Sequence, residues 1–329
     1  MKVMRTLKTV FLILGALFLG YLVYRVGTGP VLETLAKLAW WQFVVVCLPY
    51  AFIMAVDTLG WRFAFTLDRT PFVPLYGARL AGEALNLVTA LGSVGGEAVK
   101  AWLVRRHVSY EESIPATVIA KTTITVAQAL FLLIGIVLAW SVLDVDSVVL
   151  RGMLWILVVE VFAVGGFVGA QVFGFVARGG RLLQTFGVVK DTAYATALDK
   201  ALRSYYFTQW RRLALSVGFH LLGWLLGAVE AFIMLWALGV DASLLTAAVI
   251  EALGSGVRFA TFLVPASLGA VEGANAAAFE ALGFGAGVGL AFSFVRRARQ
   301  IVWVVIGLAV MALMRWAGGP EAAADARPA

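Results

Sequence analysis

The sequence predicts an all-α polytopic membrane protein with about six full spans, two re-entrant broken-helix hairpins and a possible inverted repeat. Three observations carry that reading. Of the 329 residues, 62% are hydrophobic and only 14% charged, with a mean hydropathy of +0.93, whereas an ordinary soluble domain carries about 25% charged residues. Several apolar runs reach the roughly 20 residues that a helix needs to cross ~30 Å of hydrocarbon. Two further stretches, 74–104 and 244–283, are equally apolar but are interrupted by Gly and Pro and carry acids.

Taken in order, the start MKVMRTLKTVFLILGALFLGYLVY has the basic head and apolar centre of a signal peptide. It lacks a persuasive small-x-small cleavage site and many spans follow, so an uncleaved first span near 9–26 is expected. The next spans fall near 40–60, 113–143, 149–177 and 213–238, with a last one within 285–315. The connection RGGRLLQTFGVVKDTAYATALDKALRSYYFTQWRR, 178–212, mixes cations with Leu, Tyr, Phe and Trp. It reads as amphipathic helices on the inner leaflet, a solvated, membrane-hugging loop rather than a lipid-recognition element. Residues 1–316 read as a single integral-membrane domain, and the Ala- and Pro-rich 317–329 as a disordered tail.

Lys and Arg set the orientation. With both broken stretches re-entrant, one side collects Lys2, Arg5, Lys8, Arg62, Arg69, Lys100, Arg105, Arg106, the cations of 178–212, Arg315 and Arg327. The other side holds only Arg25, Lys37 and Arg151. The positive-inside rule then puts both termini in the cytoplasm of a bacterial cell with the protein in its inner membrane. If 74–104 crossed fully, Arg105 and Arg106 would land outside. The net charge of +7 therefore reports loops facing anionic lipid, not a nucleic-acid partner. Cys47 is the single cysteine, and His107 and His220 stand alone in sequence, so no disulfide, metal cluster or cofactor is expected. GSVGGEAVK lacks the spacing of a nucleotide-binding loop, and Asp144-Val-Asp146 reads as a polar turn.

Inside the apolar stretches stand Arg79, Lys121, Arg258, Arg296, Arg297 and Arg299, with Glu83, Glu97, Glu160, Glu230, Glu251, Glu272 and Glu280. A single charge at a helix centre costs about 2.5–3.5 kcal/mol on insertion scales. These charges must therefore pair or line a wet cavity, and their clustering around the two breaks favours a cavity. On 74–104, Arg79, Glu83 and Asn86 share one helix face. The chain breaks at Gly92 and Gly95-Gly96, and Glu97 and Lys100 open the next half-helix, whose free N–H groups suit an anion. Irregular backbone at membrane depth needs protein or water around it, hence a re-entrant hairpin. The stretch 244–283 repeats the design with Pro265, Gly269, Glu272 and Asn275, and Val-Arg-Arg follows each break, at 104–106 and 295–297. Matched broken helices in two halves suggest a site between them. On the last span Arg296 and Arg299 share a face and are expected to face the cavity, with Arg297 pairing to an acid such as Glu280; the alternative is that all three snorkel to the interface.

EALNLVTALGSVGGEAVKAWLVRR with SIPATVIAKTTITVAQALFLL resembles the first signature of the lysylphosphatidylglycerol synthase transmembrane, or flippase-like, family. FLVPASLGAVEGANAAAFEALGF with AFSFVRRARQ resembles the second, and the hopanoid-associated branch is the most similar. The resemblance matches Gly95, Gly96 and Glu97 to a Gly-Gly-acid, Asn86 and Gln128 to polar positions, and Pro265, Gly269 and Glu272 to the second motif. Lys100 stands where Arg is usual and Lys121 where an acid is expected; Thr89 and Ala266-Ser267 depart from Pro and Pro-Gly. The family implies lipid transfer by a non-enzymatic bundle with two re-entrant hairpins. The expected partners are a membrane lipid, anionic phospholipid or hopanoid-type, and lipid-biosynthetic enzymes. Two rival readings are an integral-membrane transferase using Glu97 or Glu272 as base, and a scaffold for lipid-biosynthetic enzymes.

Overall fold

The computed structural model describes residues 2–67, 70–88, 93–175, 178 and 193–316. The expected tail at 317–329, Thr89 and Gly92 at the first break, Arg69, and most of 178–192 lie outside the described residues. All regular structure among the described residues is helical. In chain order the helices are α1 (Lys2–Val26), α2 (Thr28–Ala36), α3 (Trp40–Cys47), α4 (Pro49–Ala64), α5 (Phe72–Val88), α6 (Ser93–Val104), α7 (Tyr110–Ala139) and α8 (Val148–Val172). There follow α9 (Ala193–Thr208), α10 (Trp210–Ala237), α11 (Leu244–Ala260), α12 (Ala270–Ala281) and α13 (Ala286–Trp316). The pair α3 and α4, α7, α8, α10 and α13 make five elements long and apolar enough to cross a membrane; α1 with α2, bent by 87°, brings the total to as many as six. The protein is a multi-pass, all-α membrane protein.

Contact ladders give each helix its direction. On α4 and α10, Phe65 O accepts from Arg212 Nε at 2.8 Å, Gly60 O from Ser216 Oγ at 2.8 Å, and Asp57 Oδ1 lies 3.1 Å from His220 Nδ1. At the other extreme Trp41 meets Trp236 edge-on at 5.8 Å. These two helices are thus antiparallel, and the end of α4 lies beside the start of α10. We call this the near end of the bundle.

The two broken stretches behave differently from the spans. Helix α5 has 17 residues and α6 only 12, about 25 and 18 Å at 1.5 Å per residue, each too short for ~30 Å of hydrocarbon. Near their tips Asn86 of α5 meets Gly96 of α6. At their bases Leu75 and Ala78 share one apolar cluster with Leu103, Val104, Trp61 and Phe65. The chain therefore rises from the near end, turns and comes back, the hairpin expected for 74–104. Helices α11 and α12 form a second hairpin, with Ala248, Leu245, Ala278 and Leu282 in one cluster. It follows the far end of α10, so the hairpins enter from opposite ends. Each is preceded by two spans and followed by one, with every direction reversed between the halves, which is the element order of an inverted repeat.

Two departures stand out. The stretch 178–212 reads as amphipathic helices hugging the inner leaflet; its described part is a helix, α9, but one docked on the bundle. Tyr205 Oη donates to Phe63 O at 2.7 Å and Tyr206 Oη to Gln171 Oε1 at 2.7 Å, while Leu202 and Tyr205 are buried. Free backbone carbonyls near the end of α4 and Gln171 at the end of α8 attract these hydroxyls, which sequence polarity alone does not reveal. The second departure concerns Val-Arg-Arg. At 104–106 it closes α6 and turns at the near end, while at 295–297 it sits inside α13. Equal letters occupy unequal places, because the counterpart of α13 in the first half is α7.

Candidate functional site

Helix α13 is the spine on which both hairpins lean. Toward the near end, a Cβ on Gly307 would lie 2.5 Å from Leu80 O and 2.7 Å from the Ala84 methyl, so α5 touches α13 backbone to backbone. Toward the far end, a Cβ on Gly289 would lie 2.6 Å from Asn275 O, which seats α12 as closely. Between these contacts fall Arg296, Arg297, Arg299 and Gln300, level with both hairpin tips.

At the first tip, Asn86 Oδ1 accepts from Gly96 N at 3.0 Å and Asn86 Nδ2 reaches Glu97 Oε1 at 3.5 Å. Glu97 pairs with Lys100 at 2.6 Å, and the ammonium lies 5.7 Å from the Trp61 ring centroid. Gly95 is half-buried and Gly96 buried. A Cβ on Gly96 would overlap Gly82 O and the Asn86 amide, so the hairpin needs glycine there. Arg79 is buried and pairs with Asp57 at 3.0 Å, and His220 joins the same carboxylate. Glu83 is half-buried and borders a narrow space of about 10 Å³ with Tyr50, Gln300 and Trp303, room for about one water.

At the second tip, Pro265 begins a single 3₁₀ turn, Pro265–Ser267. Ala266 and Ser267 hold φ of +52° and +49°, left-handed values that cost non-glycine residues roughly 1–2 kcal/mol each. This accounts for the glycine expected here by resemblance. Arg297 Nη1 donates to Ala266 O at 2.9 Å and holds the turn. Gly269, at φ +81°, lets Leu268 and Gly269 lie against Gly15 of α1, and its N–H donates to Glu272 Oε2 at 2.7 Å. Asn275 Nδ2 donates to Ser293 Oγ at 2.8 Å. Gln128 Nε2, on α7, donates to Ser255 O of α11 at 2.7 Å.

The α13 arginines do not snorkel. Arg296 is buried on Glu251, which also takes Arg258 at 2.7 Å. Arg299 is buried on Glu230 at 2.6 Å, with its guanidinium 4.4 Å from the Tyr50 ring centroid. Arg297 binds Glu272 at 2.7 Å rather than the expected Glu280, whose carboxylate instead accepts from Ala286 N at 2.9 Å. The tight α12–α13 seat at Gly289 fixes this choice by facing Glu272 to Arg297. Among the described residues the charges of the expected polar site meet one another, and the space that Glu83 borders is narrow. Even so, Arg79 Nε, Arg296 Nε, Arg299 Nε and Trp61 Nε1 have no acceptor among the described residues. Lys121 is exposed.

The pattern of the lysylphosphatidylglycerol synthase TM region family matches residues 8–309. The chain belongs to that family. It is similar to a UPF0104 membrane protein of Methanothermobacter thermautotrophicus, 26% identical over 330 residues, which cover 92% of this chain and 94% of that protein. No solved structure matches the chain.

The two hairpins hold their acids differently: Glu272 is paired to Arg297 of α13, whereas Glu97 is paired to Lys100 of its own helix. Sequence reasoning omitted Asp57, His220, Tyr50 and Trp303. The one signal available was an Asp and a His inside otherwise apolar spans, AVDTLGW and VGFHLLGW. Among the described residues no group of His, Cys, Asp and Glu could hold a metal ion.

Proposed function

We propose that this family member is a non-enzymatic lipid translocator that carries a polar headgroup between two opposed hairpin tips while the acyl chains stay in lipid. The observation that carries this reading is the set of buried and half-buried ion pairs, Asp57–Arg79, Glu97–Lys100, Glu251–Arg296, Glu230–Arg299 and Glu272–Arg297, around hairpins that enter from opposite ends. A headgroup crossing hydrocarbon alone leaves its polar groups unsatisfied; donors in this set replace the lost water. With its interior charges paired to one another the chain rests in an occluded state, and rocking of one half against the other opens it to either leaflet, as inverted repeats do. The near end, with its cations, faces the cytoplasm of a bacterial inner membrane, which puts both termini there.

Reconstitution into vesicles that carry a fluorescent phospholipid, read by quenching of the outer leaflet, tests the proposal. The expected result is protein-dependent movement of unmodified lipid, lost in Glu97→Gln and Lys100→Ala proteins that still fold. Movement no faster than in protein-free vesicles would overturn it. Covalently altered lipid would indicate a transferase, and loss of a partner enzyme alone a scaffold. The lipids that co-purify, a hopanoid-type cargo among the candidates, identify the substrate.

A further inference from the structure

His220 is fully buried on α10, and the proposed passage of a headgroup does not use it. Its Nδ1 lies 3.1 Å from Asp57 Oδ1 of α4, while Arg79 of α5 donates to Oδ2 at 3.0 Å. The other ring nitrogen, Nε2, has no hydrogen-bond partner among the described residues. Because a carboxylate only accepts, the proton of the uncharged ring sits on Nδ1, and Nε2 presents a lone pair. The fold builds this place closely. A Cβ on Gly60 would lie 2.7 Å from His220 Nε2, and one on Gly223 would lie 2.6 Å from Asp57 Oδ1. One glycine on each helix lets α4 and α10 close on the pair.

Charges face the ring from three elements: Asp57 on α4, Arg79 on α5 and Lys100 on α6. The Lys100 stem packs where a Cβ on Gly82 would lie, one turn from Arg79, and its ammonium is 5.7 Å from the Trp61 ring centroid, one turn from Asp57. Glu97 holds Lys100. Helix α7 offers the Thr123 hydroxyl and α9 the Tyr205 and Tyr206 hydroxyls, and α3 carries no charged residue. On α10 itself Arg212 is held by the carbonyls of Phe65 and Arg62. Farther along, Glu251 of α11 lies against Gly227, and Glu230 pairs with Arg299 of α13; both acids are occupied by arginines.

The surroundings are polar on one side only. Toward the near end, Ser216 Oγ, one turn before His220, donates to Gly60 O at 2.8 Å and lies 2.8 Å from Thr123 Oγ1. The neighbouring Thr122 Oγ1 accepts from Gln171 Nε2 at 3.0 Å, and Gln171 Oε1 accepts from the half-buried Tyr206 at 2.7 Å. Toward the far end, Ile53, Met54 and Leu80 pack with Leu226 in an apolar cluster. A small polar species therefore reaches the ring from the near end and is stopped there.

We infer that His220 Nε2 is a proton-binding site through which the first hairpin is coupled to a transmembrane proton gradient. The proton comes from water, adds to the Nε2 lone pair and turns the ring into an imidazolium. Asp57 then faces two cations and neutralises one, so its hold on Arg79 weakens. Arg79 and Lys100 both belong to the first hairpin, and both are repelled by a charge on α10. Proton uptake thus loosens the hairpin from α4 and α10, and proton loss restores the clamp. Ionisable residues inside membrane spans serve such relays in pumps and transporters. The inference rests on the translocator reading for the cargo that moves, not for proton binding itself.

Two measurements test it. The first reconstitutes the full chain in phosphatidylcholine vesicles with a fluorescent phospholipid, clamps the voltage with potassium and valinomycin, and imposes a pH difference. The parent should shift the steady-state leaflet distribution away from even, by up to about tenfold per pH unit for one proton per lipid. His220→Gln keeps a donor for Asp57 but cannot take the proton, and its lipid should settle evenly at any gradient. His107→Gln, at the exposed near-end turn, should respond as the parent does. The second measurement records the nitrogen resonances of histidine-labelled His107→Gln protein, whose one remaining imidazole is His220. The expected ring is uncharged with its proton on Nδ1 and becomes doubly protonated, reversibly, on acidification of the folded protein. A ring that keeps one protonation state until the chain unfolds would overturn the site, as would equal gradient responses in the parent and in His220→Gln. Protein-dependent movement that ignores the gradient removes the coupling and leaves the translocator. Reversible protonation with no lipid movement under any gradient leaves the proton site and removes the translocator.

Discussion

At the scale of single residues, the buried charges are organised by how many partners each carboxylate serves. Glu251 holds two arginines, whereas Glu230 and Glu272 hold one each. Removing one member of a buried pair leaves the other charged and desolvated, at a cost of about 3–5 kcal/mol. Glu251→Gln should therefore lower the thermal midpoint sharply in detergent, measured by loss of monodisperse protein on heating. Glu251→Met with Arg296→Met should recover part of that loss, because the buried Arg296 charge goes with its partner and only the partly exposed Arg258 is left unpaired. A double variant as unstable as the sum of its singles would show that the pair is not coupled.

At the scale of elements, the hairpins depend on close backbone approach. Gly82 and Gly96 face each other across α5 and α6, and a methyl group on either would overlap the opposing helix of the hairpin. Overpacking of this kind costs typically 1–3 kcal/mol, and here it would also pry Asn86 from Gly96 N. Gly96→Ala should reduce the yield of folded protein and lipid movement together. Gly152→Ala, on α8 with nothing within 4 Å of its new Cβ, should leave both unchanged. Equal behaviour of the two variants would remove the steric argument for the first tip. Helix α8 tolerates such change because it faces lipid, with Trp155 and Phe162 71% and 78% exposed.

At the scale of the whole molecule, the reversed order of the two halves predicts which loops share a side. In a Cys47→Ser background, cysteines at His107 and Ser109 should react only with a reagent added from the cytoplasm, and one at Ser141 only from outside. Val108 would be a poor probe, since it is buried at 6%. Labelling of His107 and Ser109 from outside would make α5 and α6 cross the membrane and would dissolve the inverted order.

Much of this architecture was legible in the sequence, and the reason is the solvent. In hydrocarbon, backbone polar groups must be satisfied within the segment, so long apolar runs mark the spans. Pro265 with Gly269 marked the second break for the same reason, whereas Gly95 and Gly96, read as part of the first break, lie inside α6, which begins at Ser93. Charge asymmetry and the interior acids pointed to two hairpins around polar groups. What the sequence did not determine was the matching of charges. Arg297 lies nearer to Glu280 than to Glu272 along the chain, yet binds Glu272 because Gly289 seats α12 against α13. Asp57 joins Arg79 and His220, which lie 22 and 163 residues away, and no local pattern announces such a meeting. Hydropathy is a property of each segment and its solvent, so it can be read along the chain. Ion pairing falls steeply with distance, and only the packing of helices far apart in sequence decided which acid each cation reached.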